Sequence, residues 1–321
     1  MFLLKHTRSS HISNAVLLIL PRLFAFFCCD APYSLAYAAG MLLAVIPQAG
    51  AVLLLTAKRQ TVSFPPLLLR ACRIYALCYA AALTVQFRSL CRGLLLPHCG
   101  LMLLLLLLML LYTVRQPLRA AERAAMLLLF AGSAAVLLLP AGGFHALRGI
   151  SLFAPDSITA GFFRELAYSG ELPLIPLLMQ NRPAAGVRKS LTVWAAVRGV
   201  LLPLTVLFGA MQNGRLLRWA GNPFFLLLAR APLSDAIRTD GFWMLYAFAC
   251  GGLSITACLR TALPQRGRHP MMRLFLPYCA VFALLTLYSP ALTVLQGAAI
   301  MLGLVLPLCC TLLPNQRRCP A

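Results

Sequence analysis

Tyr168-Ser169-Gly170-Glu171-Leu172-Pro173-Leu174-Ile175-Pro176 lies within an apolar run covering about 157–180. A transmembrane helix needs roughly 20 mostly apolar residues, so the run is long enough to cross a bilayer. It nevertheless gathers a glycine, a carboxylate and two prolines. Proline removes an amide donor and clashes with the preceding turn, so a helix is expected to break here. Backbone groups freed by a break are not tolerated against lipid and must face protein or a wet cavity. The stretch therefore points to a membrane protein with an interior site.

Nine further runs flank this one, giving ten candidate spans at roughly 12–29, 34–56, 66–87, 99–114, 122–140, 157–180, 189–209, 239–262, 271–288 and 291–313. The run around Leu101–Leu111 is nearly pure leucine and is expected to face lipid. The third is the weakest, because Arg73 and Arg88 bracket its apolar centre. Composition points the same way: 61% of residues are hydrophobic and 11% charged, with a mean hydropathy of +0.85. A soluble domain is nearer 45–50% apolar and about 25% charged, and one soluble core could not hide the excess. The chain reads as a single transmembrane domain, 1–321, of all-α class.

The formal charge of +21 would suggest nucleic acid in a soluble protein. Here the basic residues form short clusters between apolar runs, the pattern of cytoplasmic loops, and nucleic acid is not an expected partner. With the N-terminus inside, Lys58-Arg59, Arg115 to Arg123, Arg188-Lys189, Arg266, Arg268 and Arg317-Arg318 all fall inside. Both termini are therefore expected in the cytoplasm. Lys5 and Arg8 before an apolar stretch resemble a signal peptide, but the stretch runs on towards a second span. It reads as a retained first helix. Asn222-Pro223-Phe224-Phe225-Leu226-Leu227-Leu228, too short to cross, is expected to lie as a helix on the outer surface.

The 12 cysteines form no C-x-x-C pair and mostly lie in apolar runs. They read as small buried hydrophobes rather than a disulfide framework or a metal site. His6, His11, His98, His145 and His269 sit at the N-terminus or near span ends. No H-E-x-x-H, G-x-S-x-G or phosphate-loop spacing occurs. An enzyme is not expected, nor a cofactor.

Secondary transporters are often inverted repeats whose site forms where a helix in each half is interrupted. Ten spans divide into two fives, at about 12–140 and 157–313, opposite in orientation because five is odd. The first helix of the second half contains the Gly170-Glu171 interruption. The first helix of the first half contains Pro21-Arg22, a proline and a charge within an apolar run. Breaks are expected in both. A charge near midplane costs at least about 2.5–3.5 kcal/mol and usually faces the interior. Arg22 and Glu171 are expected to approach each other as a structural bridge, to hold the two ends of a zwitterion, or to leave Glu171 as a proton carrier. Arg198 in span seven is either a further ligand group or a snorkelling surface residue. The candidate ligand-binding set is Pro21, Arg22, Tyr168, Gly170, Glu171, Pro173 and Arg198. Tyr75, Tyr168 and Trp243 either line the path or serve as packing and interfacial anchors.

Three stretches also resemble a known family. They are the Gly170-Glu171 turn with Leu172-Pro173-Leu174-Ile175-Pro176; the segment from Gly209 to Trp243, with Asn222-Pro223-Phe224-Phe225, Arg230 and Arg238-Thr239-Asp240-Gly241-Phe242-Trp243; and Glu122-Arg123 opening span five after a basic loop. Together, and in this order, they resemble the spore germination permeases, the B-type subunits of endospore germinant receptors in the amino acid–polyamine–organocation superfamily. The resemblance implies a LeuT-like fold of ten helices with helices 1 and 6 broken. It implies binding of a small nutrient germinant, often an amino acid, and partnership with A-type and C-type receptor subunits. It places the chain in the bacterial cytoplasmic membrane, specifically the spore inner membrane. The alternative is a secondary amino acid or small-solute transporter, with Glu171 as the proton carrier where it is proton-coupled. In either case the solute is expected to enter from outside between spans one, six, three and eight.

Overall fold

The computed structural model describes residues 10–28, 35–56, 61–93, 99–113, 118–138, 155–213, 240–263, 270–288 and 290–312. Nearly all are helical. The helices are α1 (Ser10–Phe27), α2 (Leu35–Thr56), α3 (Pro66–Gly93), α4 (Cys99–Thr113), α5 (Leu118–Leu138), α6 (Pro155–Ala167), α7 (Leu174–Met179), α8 (Ala184–Asn213), α9 (Asp240–Ala262), α10 (Pro270–Leu287), α11 (Pro290–Ile300) and α12 (Leu306–Leu312). A π-helical turn, Met301–Val305, joins α11 to α12. Proline opens α3, α6, α10 and α11, where its missing N–H is one of the helix's unpaired donors in any case. The only strands described are β1 (Thr61–Val62) and β2 (Arg182–Pro183), an antiparallel pair that ties the start of α3 to the start of α8.

Helix covers most of each of the ten expected runs, but the helices at 118–138 and 155–179 are not among the segments apolar enough to read as spans. Four segments are long and apolar enough to cross a membrane: Pro66–Gly93, Ala184–Phe208, Phe242–Ala262 and Pro290–Cys309. Shorter apolar helices run through Ala15–Phe27, Ala36–Ala51, Gly100–Thr113 and Phe275–Leu287. The chain is an all-α membrane protein. On α4, Leu101, Leu104, Leu105 and Leu108 are exposed while Leu106 and Leu110 are buried, so one leucine face lies bare. The third span, weakest by sequence, is among the best packed. Its apolar stripe of Cys72, Tyr75, Ala76, Tyr79, Ala80, Leu83, Phe87 and Leu90 is buried, against α9, α10 and α7.

One expectation is overturned here. The first helix is not broken: α1 runs unbroken through Pro21. Pro21 costs one helical hydrogen bond, but no glycine accompanies it. Its neighbours Leu17, Leu18, Leu20 and Phe24 are fully buried in the core, so packing holds the helix on both sides. The sixth span does break, between Ala167 and Leu174. The outer segment from Asn222 to Arg230 lies outside the described residues, as do Arg238 and Thr239.

Without a hydrophobic force between helices in lipid, association depends on close packing of small residues and on polar bonds. Both are present. α2 and α6 touch backbone to backbone: a Cβ on Gly40 would overlap the carbonyl oxygen of Ile158, and one on Gly161 that of Tyr37. Thr84 of α3 shares a 2.6 Å hydrogen bond with Tyr278 of α10. Thr113 of α4 and Thr256 of α9 share one of 2.9 Å. Ser190, Thr205 and Ser254 instead donate to the carbonyl four residues back, satisfying their hydroxyls within their own helix.

Candidate functional site

The break in the sixth span is a compact turn. Ser169 N–H donates to Leu166 O at 3.1 Å and Leu172 N–H to Ser169 O at 3.2 Å; Pro173 then caps α7. Two neighbours require glycine. A Cβ on Gly170 would overlap the ring of Tyr79, and a Cβ on Gly303 would overlap Leu172 and Pro173. The π turn therefore seats Gly303 directly on the broken segment. Such turns frequently mark functional sites.

Beside the break lies a cluster of four buried charges. Arg22 of α1 donates to Glu165 of α6, through Nε to Oε1 at 3.2 Å and through Nη2 to Oε2. Arg198 of α8 donates from Nε to the same Oε1 at 2.7 Å, and from Nη1 to Glu171 Oε1 at 2.7 Å. Its Nη1 also reaches Gln48 Oε1 of α2 at 2.7 Å, and its Nη2 reaches Ser169 Oγ at 2.7 Å. Gln48 Nε2 closes the ring onto Ser169 Oγ at 3.1 Å. Each guanidinium also lies over an aromatic ring, Arg22 at 5.7 Å from the Tyr168 centroid and Arg198 at 5.1 Å from that of Trp194. All four charged residues are at most 2% exposed. Two guanidiniums and two carboxylates sum to zero; α1, α6, α8 and the break supply the charges and α2 supplies Gln48. Glu171 Oε2 is buried without a hydrogen-bond partner among the described residues.

This geometry sorts the candidates. Arg22, Tyr168, Glu171 and Arg198 come together around the break. Arg198 does not snorkel: it is the hub of the cluster, held by four side chains. Of the three alternatives for Arg22 and Glu171, the direct bridge does not form: both belong to one cluster, joined through Glu165 and Arg198. The partner of Arg22 is Glu165, which the sequence reading passed over, as it passed over Gln48 and Ser169. Pro21 is buried inside α1 and Pro173 caps α7.

A cavity of about 240 Å³ opens beside the cluster. α3 contributes Tyr75, Tyr79, Gln86 and Ser89, one helical stripe; α1, the break and α11 close the other sides, with Tyr168, Gly170 and Gln296 facing in. Tyr79 Oη and Gln86 Oε1 are buried without partners among the described residues. Tyr75 and Tyr79 stack with centroids 5.8 Å apart. The walls are α1, α3, the break after α6, and α11. Span eight, expected as the fourth wall, packs against α1, α3 and α7 and supplies none of the described lining residues. There Trp243 is buried in edge contact with Phe242 and Tyr246, so it serves packing and not the cavity.

Fold and site together define a helical membrane protein with a buried, internally neutral ion cluster beside a partly polar cavity, whose lining also includes Val85, Leu292 and Leu295. Compared with known protein families, curated proteins and solved structures, the chain matches none.

Proposed function

We propose that this chain is a ten-span, permease-like protein of a bacterial cytoplasmic membrane that binds a small polar solute at the break in its sixth helix. The observation that carries the reading is the cavity itself. Buried polar groups without partners are costly and rare in a finished core. Tyr79 and Gln86 line a space large enough for a small molecule, and their Oη and Oε1, buried without partners among the described residues, reach it by side-chain rotation. A solute that bonds both groups removes that cost.

The inverted-repeat, LeuT-like part of the reading is supported by which helices touch. Let α1 to α5 be spans one to five, α6 with α7 span six, α8 to α10 spans seven to nine, and α11 with α12 span ten. Exchanging each span with the one five places away should then map contacts onto contacts. One–seven has two–six, one–eight has three–six, one–five has six–ten, and one–three has six–eight. Likewise three–nine has four–eight, five–eight has three–ten, and five–seven has two–ten; one–six, two–seven and three–eight map onto themselves. Among the described residues, every principal helix pairing that is not between chain neighbours has its counterpart.

With both termini inside, the Ser89 end of α3 and the Ala25 end of α1 lie towards the outer face, so the cavity opens outward. This orientation suits a receptor for an external nutrient. The resemblance to germinant-receptor B-type subunits, working with A-type and C-type partners in the spore inner membrane, is the form we propose for it. The second reading, a proton-coupled secondary transporter, is favoured by one observation: the unpartnered Glu171 Oε2 beside the break.

The test is thermal stability of the purified chain against amino acids, sugars and nucleosides. A solute at 100 times its dissociation constant adds about 2.7 kcal/mol of native-state stability. Stabilisation by a solute that is lost in Gly170→Ala, where a methyl displaces Tyr79, supports the site. No stabilisation by any solute, with the protein folded, refutes it. Uptake into proteoliposomes then separates transporter from receptor.

A further inference from the structure

We infer that the solute is uncharged and hydroxyl-bearing, of the sugar or polyol class. The inference rests on the solute-binding reading above and narrows it. No charged side chain is among the described residues lining the cavity; the polar lining consists of tyrosines, two glutamines and a serine. A carboxylate or ammonium group would need a counter-charge or a helix end. Arg22 is bound to Glu165, and Arg198 to Glu165 and Glu171, so the four charges cancel. The continuous α1 also offers no freed amide donors, which are the usual holder of a carboxylate in broken-helix sites.

What remains suits a neutral polyol. Gln86 and Tyr79 line the cavity; the Gln86 Oε1 acceptor and the Tyr79 hydroxyl, both buried without partners among the described residues, reach it by side-chain rotation. A hydroxyl group, which donates and accepts, satisfies either. Gln296 and Ser89 sit on the same cavity and extend the set of hydrogen-bonding positions. Tyr168 also lines the cavity, with the Arg22 guanidinium over its ring. A site built to hydrogen-bond hydroxyls strongly rejects analogues that lack them.

The experiment is equilibrium binding to the purified full-length chain, using radiolabelled D-glucose and myo-inositol beside L-alanine and L-glutamate. Tyr79→Phe removes a single oxygen, and Gln86→Leu removes the amide at a half-buried position. The expected result is binding of glucose or inositol, weakened roughly 3- to 10-fold by Tyr79→Phe and at least as much by Gln86→Leu, with neither amino acid competing. Binding of alanine or glutamate with both neutral solutes inert would overturn the inference and leave the solute-binding reading standing. Neutral-solute binding unchanged in both variants would overturn the assignment to this cavity. Absence of binding by all four probes would overturn the inference, and with wild-type stability also unmoved by every solute, the reading beneath it.

Discussion

Glu165→Gln is the substitution with the most predictable consequence. Glu165 is the one carboxylate that both guanidiniums share: it takes two hydrogen bonds from Arg22 and one from Arg198. The glutamine keeps the shape but removes the charge, leaving two guanidiniums against Glu171 alone. The cluster becomes net positive where every member is at most 2% exposed. Breaking a buried pair by neutralising one partner costs about 3–5 kcal/mol. Glu171→Gln should cost less, because Glu171 accepts a single bond from Arg198 and an amide oxygen can still accept it. The double variant Arg22→Leu/Glu165→Leu removes one charge of each sign and leaves Arg198 with Glu171. It should recover a large part of the loss, since such replacements are often neutral or better. Reversible unfolding in detergent, run as a double-mutant cycle, reads these differences. A Glu165→Gln protein within about 0.5 kcal/mol of wild type would show that the cluster is not the clamp described.

Other predictions follow from packing and burial. Gly161→Leu, at the α2–α6 backbone contact, should lower the unfolding midpoint sharply and reduce yield of folded protein, while the same change at the open position Gly297 should do little. Gly303→Val should destabilise by roughly 1–3 kcal/mol through overpacking against Leu172 and Pro173, read by the same unfolding assay. Thr84→Val, which strands the Tyr278 hydroxyl, should cost about 1–2 kcal/mol, most of it restored by adding Tyr278→Phe. Because the ion cluster is buried, the cost of Glu165→Gln should be nearly the same at low and high salt; a loss that vanishes in high salt would place the cluster at the surface.

The sequence made the spans legible because lipid imposes one rule, long apolar runs, that needs no knowledge of partners. It also made the sixth-span break legible, since Gly170, Pro173 and Pro176 fall within seven residues. Pro21 misled, because a lone proline does not say whether packing on both sides will hold the helix. The charge cluster was half visible. Arg22, Glu171 and Arg198 stood out as charges in apolar runs, but Glu165 lies in a more polar stretch beside Arg164 and passed as ordinary. Charge balance held the missing signal: two interior arginines need two carboxylates, and the chain has only 7 acidic residues to supply them. The cavity was not legible. Tyr79, Gln86 and Gln296 matter because of what faces them across the bundle, which no local pattern encodes.

The central claim, a partly polar cavity opening to the outer face beside the sixth-helix break, is tested most directly at Ser89, an exposed residue on its rim. A Ser89→Cys chain with its native cysteines replaced would be treated with a membrane-impermeant maleimide in intact cells. The account predicts labelling from outside without permeabilisation. Labelling only after the cells are opened would contradict it and turn the cavity towards the cytoplasm.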